Sequence, residues 1–257
     1  MSDLLERVAA FHVAFARRQA VEIVELPEFP GVFAVRNPEF ALSHEHNHLI
    51  VTGPGTDPAA LPGLATRWLG PRQQYAITVL DEEWGERVTP ALVGAGYERG
   101  TAVVMARDTA GCALPRPAAL PTDYADIREA VLAQQSEWYE GEDLIRQLAD
   151  RRPARLRGAE RVHFLAARTA ADGEVAAWVD LYLEPAAGLA QLEDLVTVGR
   201  HRGAGHGDTL LASGLALAAA AGIPRLFLLA DAADWPRGWY ARRGFTEIGS
   251  IHSFHSR

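Results

Sequence analysis

A turn rich in glycine and arginine is the part of this 257-residue sequence best suited to chemistry. Arg202, Gly203, Gly205 and Gly207 follow an apolar strand pattern and precede a long apolar helix pattern. Glycine permits positive φ and lets an anion come close to the backbone. The first amides of the following helix, at the positive end of its dipole, lie at the same place. We therefore expect the turn to bind a phosphate or a pyrophosphate.

Two common phosphate-binding motifs are excluded by the same residues. Asp208 stands where the dinucleotide fingerprint G-x-G-x-x-G needs its last glycine. The lysine of the motif G-x-x-x-x-G-K is absent, because all 25 cationic residues are arginine. The absence of lysine also excludes Schiff-base catalysis by a side chain of this protein.

The turn is similar to a known family motif. Residues 202–207 match R-x-x-G-x-G and resemble the acyl-coenzyme A pyrophosphate loop of the GCN5-related N-acetyltransferases (GNAT). Residues 231–245 resemble the segment N-x-x-A-x-x-x-Y-x-x-x-G-F of that family, with Tyr240 at the tyrosine position. Two positions depart from the family: Gly199 stands where proline is frequent, and Ala233 or Asp234 replaces the asparagine.

The resemblance implies acetyl-CoA as co-substrate. In the family, the strand before the turn separates from its neighbour and pairs through its backbone with the pantetheine arm, which would be residues 195–198 here. The implied contacts are Val196, Thr197, Val198, Arg202, Gly203, Ala204, Gly205, His206, Gly207, Asp208, Asp234 and Tyr240.

The resemblance also implies acetyl transfer to a primary amine, which must lose a proton before it attacks the thioester. Glu193 and Asp194 precede the turn, one on each face of a regular strand, and one of them is expected to be the base, with Glu193 preferred. A strand amide near Val196 would hold the oxyanion, and Tyr240 would protonate the departing thiolate. The only thiol, Cys112, lies in a linker-like segment, so direct transfer is expected. The alternative for the base is a carboxylate that only pairs with arginine. The alternative for Tyr240 is an aromatic side chain that only packs against the sheet.

The family builds one wall of the acceptor site from the first helices of the domain. That region is residues 135–143 here, with four acids and two aromatic residues. Glu137, Trp138 and Glu140 are therefore expected to bind a cationic amine, on a small molecule or a peptide, with the cation over Trp138. A solvated acidic helix face is the alternative.

A histidine cluster offers a different chemistry. Residues 44–48 read His-Glu-His-Asn-His and contain H-E-x-x-H, which forms a zinc site only on a helix. The surrounding residues predict a strand, with His44, His46 and His48 on one face. Metal binding by these three histidines is therefore a minor alternative, and no metal site is expected.

The elements that would position these residues predict an α+β fold. Helices and strands alternate without strict order, and the phrases Ala95-Gly96-Tyr97 and Arg243-Gly244-Phe245 each precede an apolar strand pattern. With the resemblance, this predicts two GNAT-like mixed-sheet domains flanked by helices. Residues 1–111 would be a degenerate domain that does not bind the co-substrate, residues 112–257 the acetyl-CoA-binding domain, and residues 106–122 the linker.

Composition limits the remaining classes. The chain is 48% hydrophobic and carries a net charge of −8 without an arginine stripe, which argues against disorder and against nucleic acid as a partner. No apolar stretch is long enough for a bilayer, and the first residues lack a signal-peptide pattern, so a cytoplasmic protein is expected. The sequence favours an N-acetyltransferase, with a non-catalytic acyl-CoA-binding or regulatory module as the alternative. It does not determine the oligomeric state.

Overall fold

The computed structural model describes residues 3–116 and 118–257. These residues divide into two compact units. The first unit contains the residues up to Met105 together with Leu229–Arg257, and the second contains Ala106–Leu228. Each unit combines strands with helices, as the α+β prediction requires.

The helices of the described residues are α1 Asp3–Gln19, α2 Leu61–Leu69, α3 Glu82–Gly94, α4 Arg128–Trp138, α5 Glu142–Asp150, α6 His206–Ala220 and α7 Pro236–Ala241. The strands are β1 Glu22–Glu25, β2 Val32–Arg36, β3 His48–Val51, β4 Ala76–Val79, β5 Tyr97–Asp108, β6 Leu120–Thr122, β7 Arg161–Arg168, β8 Val175–Glu184, β9 Leu189–Thr197, β10 Arg225–Asp231 and β11 Thr246–Ser256.

The first unit contains strands in the order β1-β2-β3-β4-β11-β5. β3 and β4 are parallel, whereas β4 and β11 are antiparallel with Phe254 opposite Ile77. Leu49, Ile77 and Phe254 are fully buried in its core. Burial of each such side chain stabilises the fold by about 1.5–3 kcal/mol. Because Phe254 lies on β11, this strand is part of the first unit's core.

The second unit contains β10 up to Leu228, followed in the sheet by β9, β8, β7 and β6 in that order. β8 pairs antiparallel with β7 and with β9, and all its residues up to Leu183 are buried, as expected of a central strand. β9 and β10 are parallel over Leu189–Leu192 and Arg225–Leu228. Val131 of α4 and the preceding Ile127 pack in one core cluster with Trp178 of β8, which fixes the helix on this sheet.

The apolar patterns on either side of the glycine-rich turn form the expected elements: β9 precedes the turn and α6 follows it. Gly141 separates α4 from α5 and adopts φ 95° there. Two short elements were not predicted: β6, within the predicted linker, and α7, within the tyrosine segment.

The predicted linker, residues 106–122, is attached to the second unit. Its Ala119 is fully buried and donates a backbone hydrogen bond to Ser213 Oγ on α6, at 2.9 Å. Thr109 donates through its backbone N–H to the Pro224 carbonyl, at 3.2 Å. Pro117 lies outside the described residues.

The division into compact units differs from the proposed domains 1–111 and 112–257, because the last 29 residues belong to the first unit. The proposed domains remain a prediction about how the sequence is organised. None of the helices in the described residues has the length and apolar character needed to cross a bilayer.

Candidate active site

The glycine-rich turn lies between β9 and α6, within the second unit. A 3-10 helix, Gly199–His201, follows β9, and Gly205 is the N-cap of α6. Gly203 and Gly205 have φ values of 80° and 84°, in the left-handed region. A Cβ placed on either glycine would meet no atom within 4 Å, so both face open space. Gly207 lies inside the first turn of α6 instead.

The start of α6 offers backbone donors to this open space. Gly205 has no side chain, and α6 has no side-chain hydrogen bond at its N-cap. The first amides of a helix have no intrahelical carbonyl partner and carry its positive dipole end. Arg202 is exposed beside them, with its Nε 3.5 Å from the Thr197 carbonyl oxygen. Asp208 is exposed in the first turn. Its carboxylate would repel a phosphate, so only its backbone amide suits a phosphate contact.

Side chains next to the turn hold its first half in place. Glu174, before β8, forms ion pairs with Arg200 and with His201, whose Nε2 lies 3.0 Å from the carboxylate. The His201 ring contacts the His206 ring edge to face, with 6.1 Å between centroids. Arg200 is therefore bound to a carboxylate, whereas Arg202 is close to the helix start.

β9 places Glu193 and the predicted pantetheine strand before the turn. Glu193 lies opposite Asp180 of β8 and accepts a hydrogen bond of 2.6 Å from Gln191 Nε2. Val196 lies opposite Trp178, and Thr197 opposite Ala177. The Val198 amide donates to the Ala176 carbonyl, at 3.0 Å. Residues 193–197 thus continue β9 beyond the stretch that pairs with Arg225–Leu228.

A bulge at Asp194 interrupts the regular alternation on which the two-face expectation for Glu193 and Asp194 depended. The register between β8 and β9 shifts at Val179, so Asp194 and Leu195 together oppose one residue. Asp194 has φ 53°, the one positive φ among the described non-glycine residues. Its carboxylate binds Arg152 Nη1 at 3.1 Å and Arg155 Nη1 at 2.8 Å.

The arginine pair was missed at the sequence level. Both guanidinium groups are buried, and both also bind the fully buried Asp180, at 2.5 Å for Arg152 and 2.7 Å for Arg155. Burial lowers the pKa of Arg152, but the carboxylates of Asp180 and Asp194 outweigh it and raise the pKa overall. Asp194 is therefore paired with two arginines, which is the alternative considered for a carboxylate at this strand.

The tyrosine segment belongs to the first unit. Tyr240 lies on α7, is 9% exposed, and contacts the Trp239 and Phe245 rings edge to face. Asp231 Oδ1 accepts a hydrogen bond from the Ala233 amide at 2.8 Å. Asp234 Oδ1 accepts one from the Trp235 amide at 2.7 Å. Both aspartates therefore accept hydrogen bonds from backbone amides one or two residues further along the chain.

The predicted acceptor wall lies at the end of α4 and in the break before α5. Trp138 is 52% exposed, and Glu137 and Glu140 are exposed as well. Glu137 accepts a hydrogen bond of 2.8 Å from Gln134 Nε2. These side chains are accessible to a ligand, and a solvated face would be accessible too.

The histidine segment is not the predicted strand. His44–His46 forms one turn of 3-10 helix, and only His48 begins β3, so the three side chains do not share a strand face. His46 is buried with Nδ1 3.1 Å from Ser43 Oγ, and His48 Nδ1 lies 2.9 Å from Thr78 Oγ1. Burial lowers the pKa of His48 to about 3. Within residues 3–116 and 118–257, no three His, Cys, Asp or Glu side chains form a group that could hold a metal ion.

Comparison with known proteins supports the family resemblance. Residues 125–245 match the model of the acetyltransferase (GNAT) family. No curated protein matches the chain. Among solved structures, a GCN5-related N-acetyltransferase from Kribbella flavida is 17% identical with a TM-score of 0.67, over 100% of this chain and 96% of that one.

Two other solved structures share the fold over nearly the whole chain. A functionally unknown conserved protein from Staphylococcus epidermidis is 11% identical with a TM-score of 0.67, over 92% of this chain and 94% of that one. A tandem GNAT protein from the clavulanic acid biosynthesis pathway is 14% identical with a TM-score of 0.54, over 98% of this chain and 94% of that one. These identities are low, so they establish the fold. The family match shows a domain of the acetyltransferase (GNAT) family at residues 125–245.

Proposed function

We propose that this protein is an N-acetyltransferase that moves an acetyl group from acetyl-CoA to a primary amine by direct transfer. The glycine-rich turn is the observation that carries the proposal. Gly203 and Gly205 are left-handed and open to solvent, the start of α6 has no side-chain cap, and Arg202 is exposed beside it. A pyrophosphate suits this arrangement, because it accepts hydrogen bonds from backbone amides and attracts a guanidinium.

The proposed acetyl-CoA contacts combine the turn with the end of β9. Backbone amides of residues 203–208 would bind the pyrophosphate, with Arg202 adding charge. Val196, Thr197 and Val198 would pair with the pantetheine arm, since they lie beyond the β9 stretch that pairs with β10. The family pattern adds Asp234 and Tyr240 from the segment after β10. Bound acetyl-CoA would supply the thioester that the amine attacks.

The base proposed for the acceptor amine is Glu193. An alkylammonium has a pKa of about 10, so the attacking amine must give up a proton near neutral pH. Asp194 is bound by two buried guanidinium groups, which favour its charged, paired state over proton acceptance. Glu193 accepts a hydrogen bond from the neutral side-chain amide of Gln191, and the family pattern places a carboxylate at this part of the strand. The strand amide near Val196 would hold the oxyanion, and Tyr240 would give the proton to the departing sulfur.

A cationic acceptor is proposed for the wall formed by Glu137, Trp138 and Glu140. Two carboxylates attract an ammonium group, and an exposed indole face can bind it by a cation–π contact. The amine would belong to a small molecule or a peptide, and the protein is expected to act in the cytoplasm. The first half of the chain has no R-x-x-G-x-G sequence, which supports the proposal that it is a degenerate domain without acetyl-CoA.

Calorimetric titration with acetyl-CoA tests the first step. We expect saturable binding to the intact protein, weakened about tenfold by Arg202→Ala, since loss of one charge-assisted contact costs about 1.5 kcal/mol. Arg200→Ala is the matched control: Arg200 lies two residues away and is bound to Glu174. An intact protein that binds no acetyl-CoA would remove the proposal. Binding without thiol release across a panel of polyamines, aminoglycosides, amino acids and peptides would favour a non-catalytic acyl-CoA-binding module instead.

A further inference from the structure

A buried network of two arginines and two aspartates lies beneath the bulge in β9. Arg152 and Arg155 are 3% and 2% exposed at their side chains, and Asp180 is completely buried. Asp194 is 34% exposed and is the member of the network that reaches the surface. Each arginine binds both carboxylates, so the four charges balance within the described contacts.

The local structure around the arginines explains why both reach the same carboxylates. They lie in the 3-10 helix Arg152–Arg157, which follows α5 and contains a proline at its start. A 3-10 helix has three residues per turn, so residues three apart project in the same direction. Arg152 and Arg155 therefore present their guanidinium groups side by side toward β8 and β9.

The network binds β9 at its irregular residue. Asp194 has φ 53°, a region that costs energy for residues other than glycine and that Asp and Asn tolerate best. Here the backbone conformation and the ion pairs belong to the same residue. The amides and carbonyls of residues 195–198, which follow immediately, depend on this bulge for their direction.

We propose that Arg152, Arg155 and Asp194 are positioning residues that hold the β9 bulge, and through it the strand residues 195–198 that bind the co-substrate. The inference rests on the proposed function for the identity of that co-substrate, acetyl-CoA. It assigns Asp194 a role other than the base. Asp180 anchors the arginines to β8, and Asp194 connects them to β9.

Asp194→Asn is the variant that tests this inference. Asparagine accepts the left-handed conformation but loses the charge that binds the two guanidinium groups, while Asp180 still pairs with them. Asp150→Asn is the control, because Asp150 is 35% exposed and pairs with Arg128 at 2.8 Å but lies away from β9 in sequence and pairing. Amide hydrogen exchange of residues 195–198 is measured without ligand, and the KM values for acetyl-CoA and for the acceptor amine are measured by steady-state kinetics.

We expect Asp194→Asn to speed exchange of the 195–198 amides at least tenfold and to raise the KM for acetyl-CoA about tenfold. The KM for the amine should stay within twofold, which a general loss of structure would not allow. Asp150→Asn should leave all three values within twofold. If Asp194→Asn does not fold, Asp194→Gly keeps the left-handed backbone without the carboxylate and takes its place.

Unchanged exchange of residues 195–198 in the Asp194 variant, or equal changes in the Asp150 control, would overturn the inference. The two proposals fail separately. A wild-type protein that binds no acetyl-CoA contradicts the proposed function, whereas the exchange comparison without ligand still decides whether the network holds the bulge.

Discussion

Gly205 allows the proposed pyrophosphate site to be tested separately from the stability of the fold. Its φ of 84° is unfavourable for alanine, at a cost of about 1–2 kcal/mol, whereas asparagine accepts this region more readily. A Cβ at this position meets no protein atom within 4 Å, so neither substitution creates a clash. The backbone conformation is then the main source of any loss in stability.

The two variants are expected to agree in binding and to differ in stability. Gly205→Ala should lower the free energy of unfolding by about 1–2 kcal/mol, or about 2–8 °C in Tm, and Gly205→Asn by less. Both substitutions add a Cβ to the open space beside Gly205 and prevent close approach of a phosphate. If one charge-assisted hydrogen bond is lost, at about 1.5–3 kcal/mol, acetyl-CoA binding weakens about 10- to 100-fold.

Thermal unfolding and calorimetric titration on the same samples supply both values. Gly222→Ala is a matched control, because Gly222 is also left-handed, with φ 71°, and also has open space where a Cβ would lie, but it follows the other end of α6. It should lose stability as Gly205→Ala does and keep its affinity. Wild-type affinity in both Gly205 variants would refute the assignment of the turn as the pyrophosphate site.

Two further predictions concern catalysis and pH. Tyr240→Phe should lower kcat at least tenfold with little change in acetyl-CoA affinity, and Glu193→Gln should lower kcat about 100-fold or more. Each substitution removes a proposed proton-transfer group. An unchanged kcat in steady-state measurements would contradict the role proposed for that residue. The pKa of His48 is about 3 in the folded state and near 6.5 in the unfolded chain. Between these pH values only the unfolded chain binds the proton, so the stability of the fold decreases as the pH falls below 6.5. This group should lower the free energy of unfolding by up to about 1.4 kcal/mol for each pH unit of acidification. Urea titrations at several pH values should show that the free energy of unfolding of His48→Gln changes less with pH than that of the wild type. An equal pH dependence in the two proteins would contradict the buried neutral state of His48.

The sequence was most informative where the signal was local. The strand before the glycine-rich turn, the helix after it and the positive φ of Gly203 and Gly205 each depend on residues within one short window. The glycine-rich turn also lies within the stretch that the family match covers. Local periodicity and glycine placement are sufficient for features of this kind.

The features that the sequence did not predict depend on distant residues. Nothing near Arg152 or Arg155 indicates Asp180 and Asp194, which lie 25 to 42 residues away. The bulge at Asp194 broke the strand alternation, and the segment expected to be a strand from His44 onward forms a 3-10 turn with His46 buried. The sequence signal near these residues was the spacing of three between Arg152 and Arg155. This spacing predicts that the two side chains share a helix face, but it does not indicate which residues that face contacts.

The place of β11 in the first unit has a consequence for the order in which the chain folds. Phe254 pairs with Ile77 across 177 residues, and both are fully buried in the same core. During synthesis, the segment up to Met105 leaves the ribosome long before β11 is made, so its core stays incomplete until β11 emerges. Such long-range closure slows folding and exposes unpaired strand edges meanwhile. An expression fragment that ends near residue 111 would lack β11 permanently, so its core would expose the side chains that Phe254 covers.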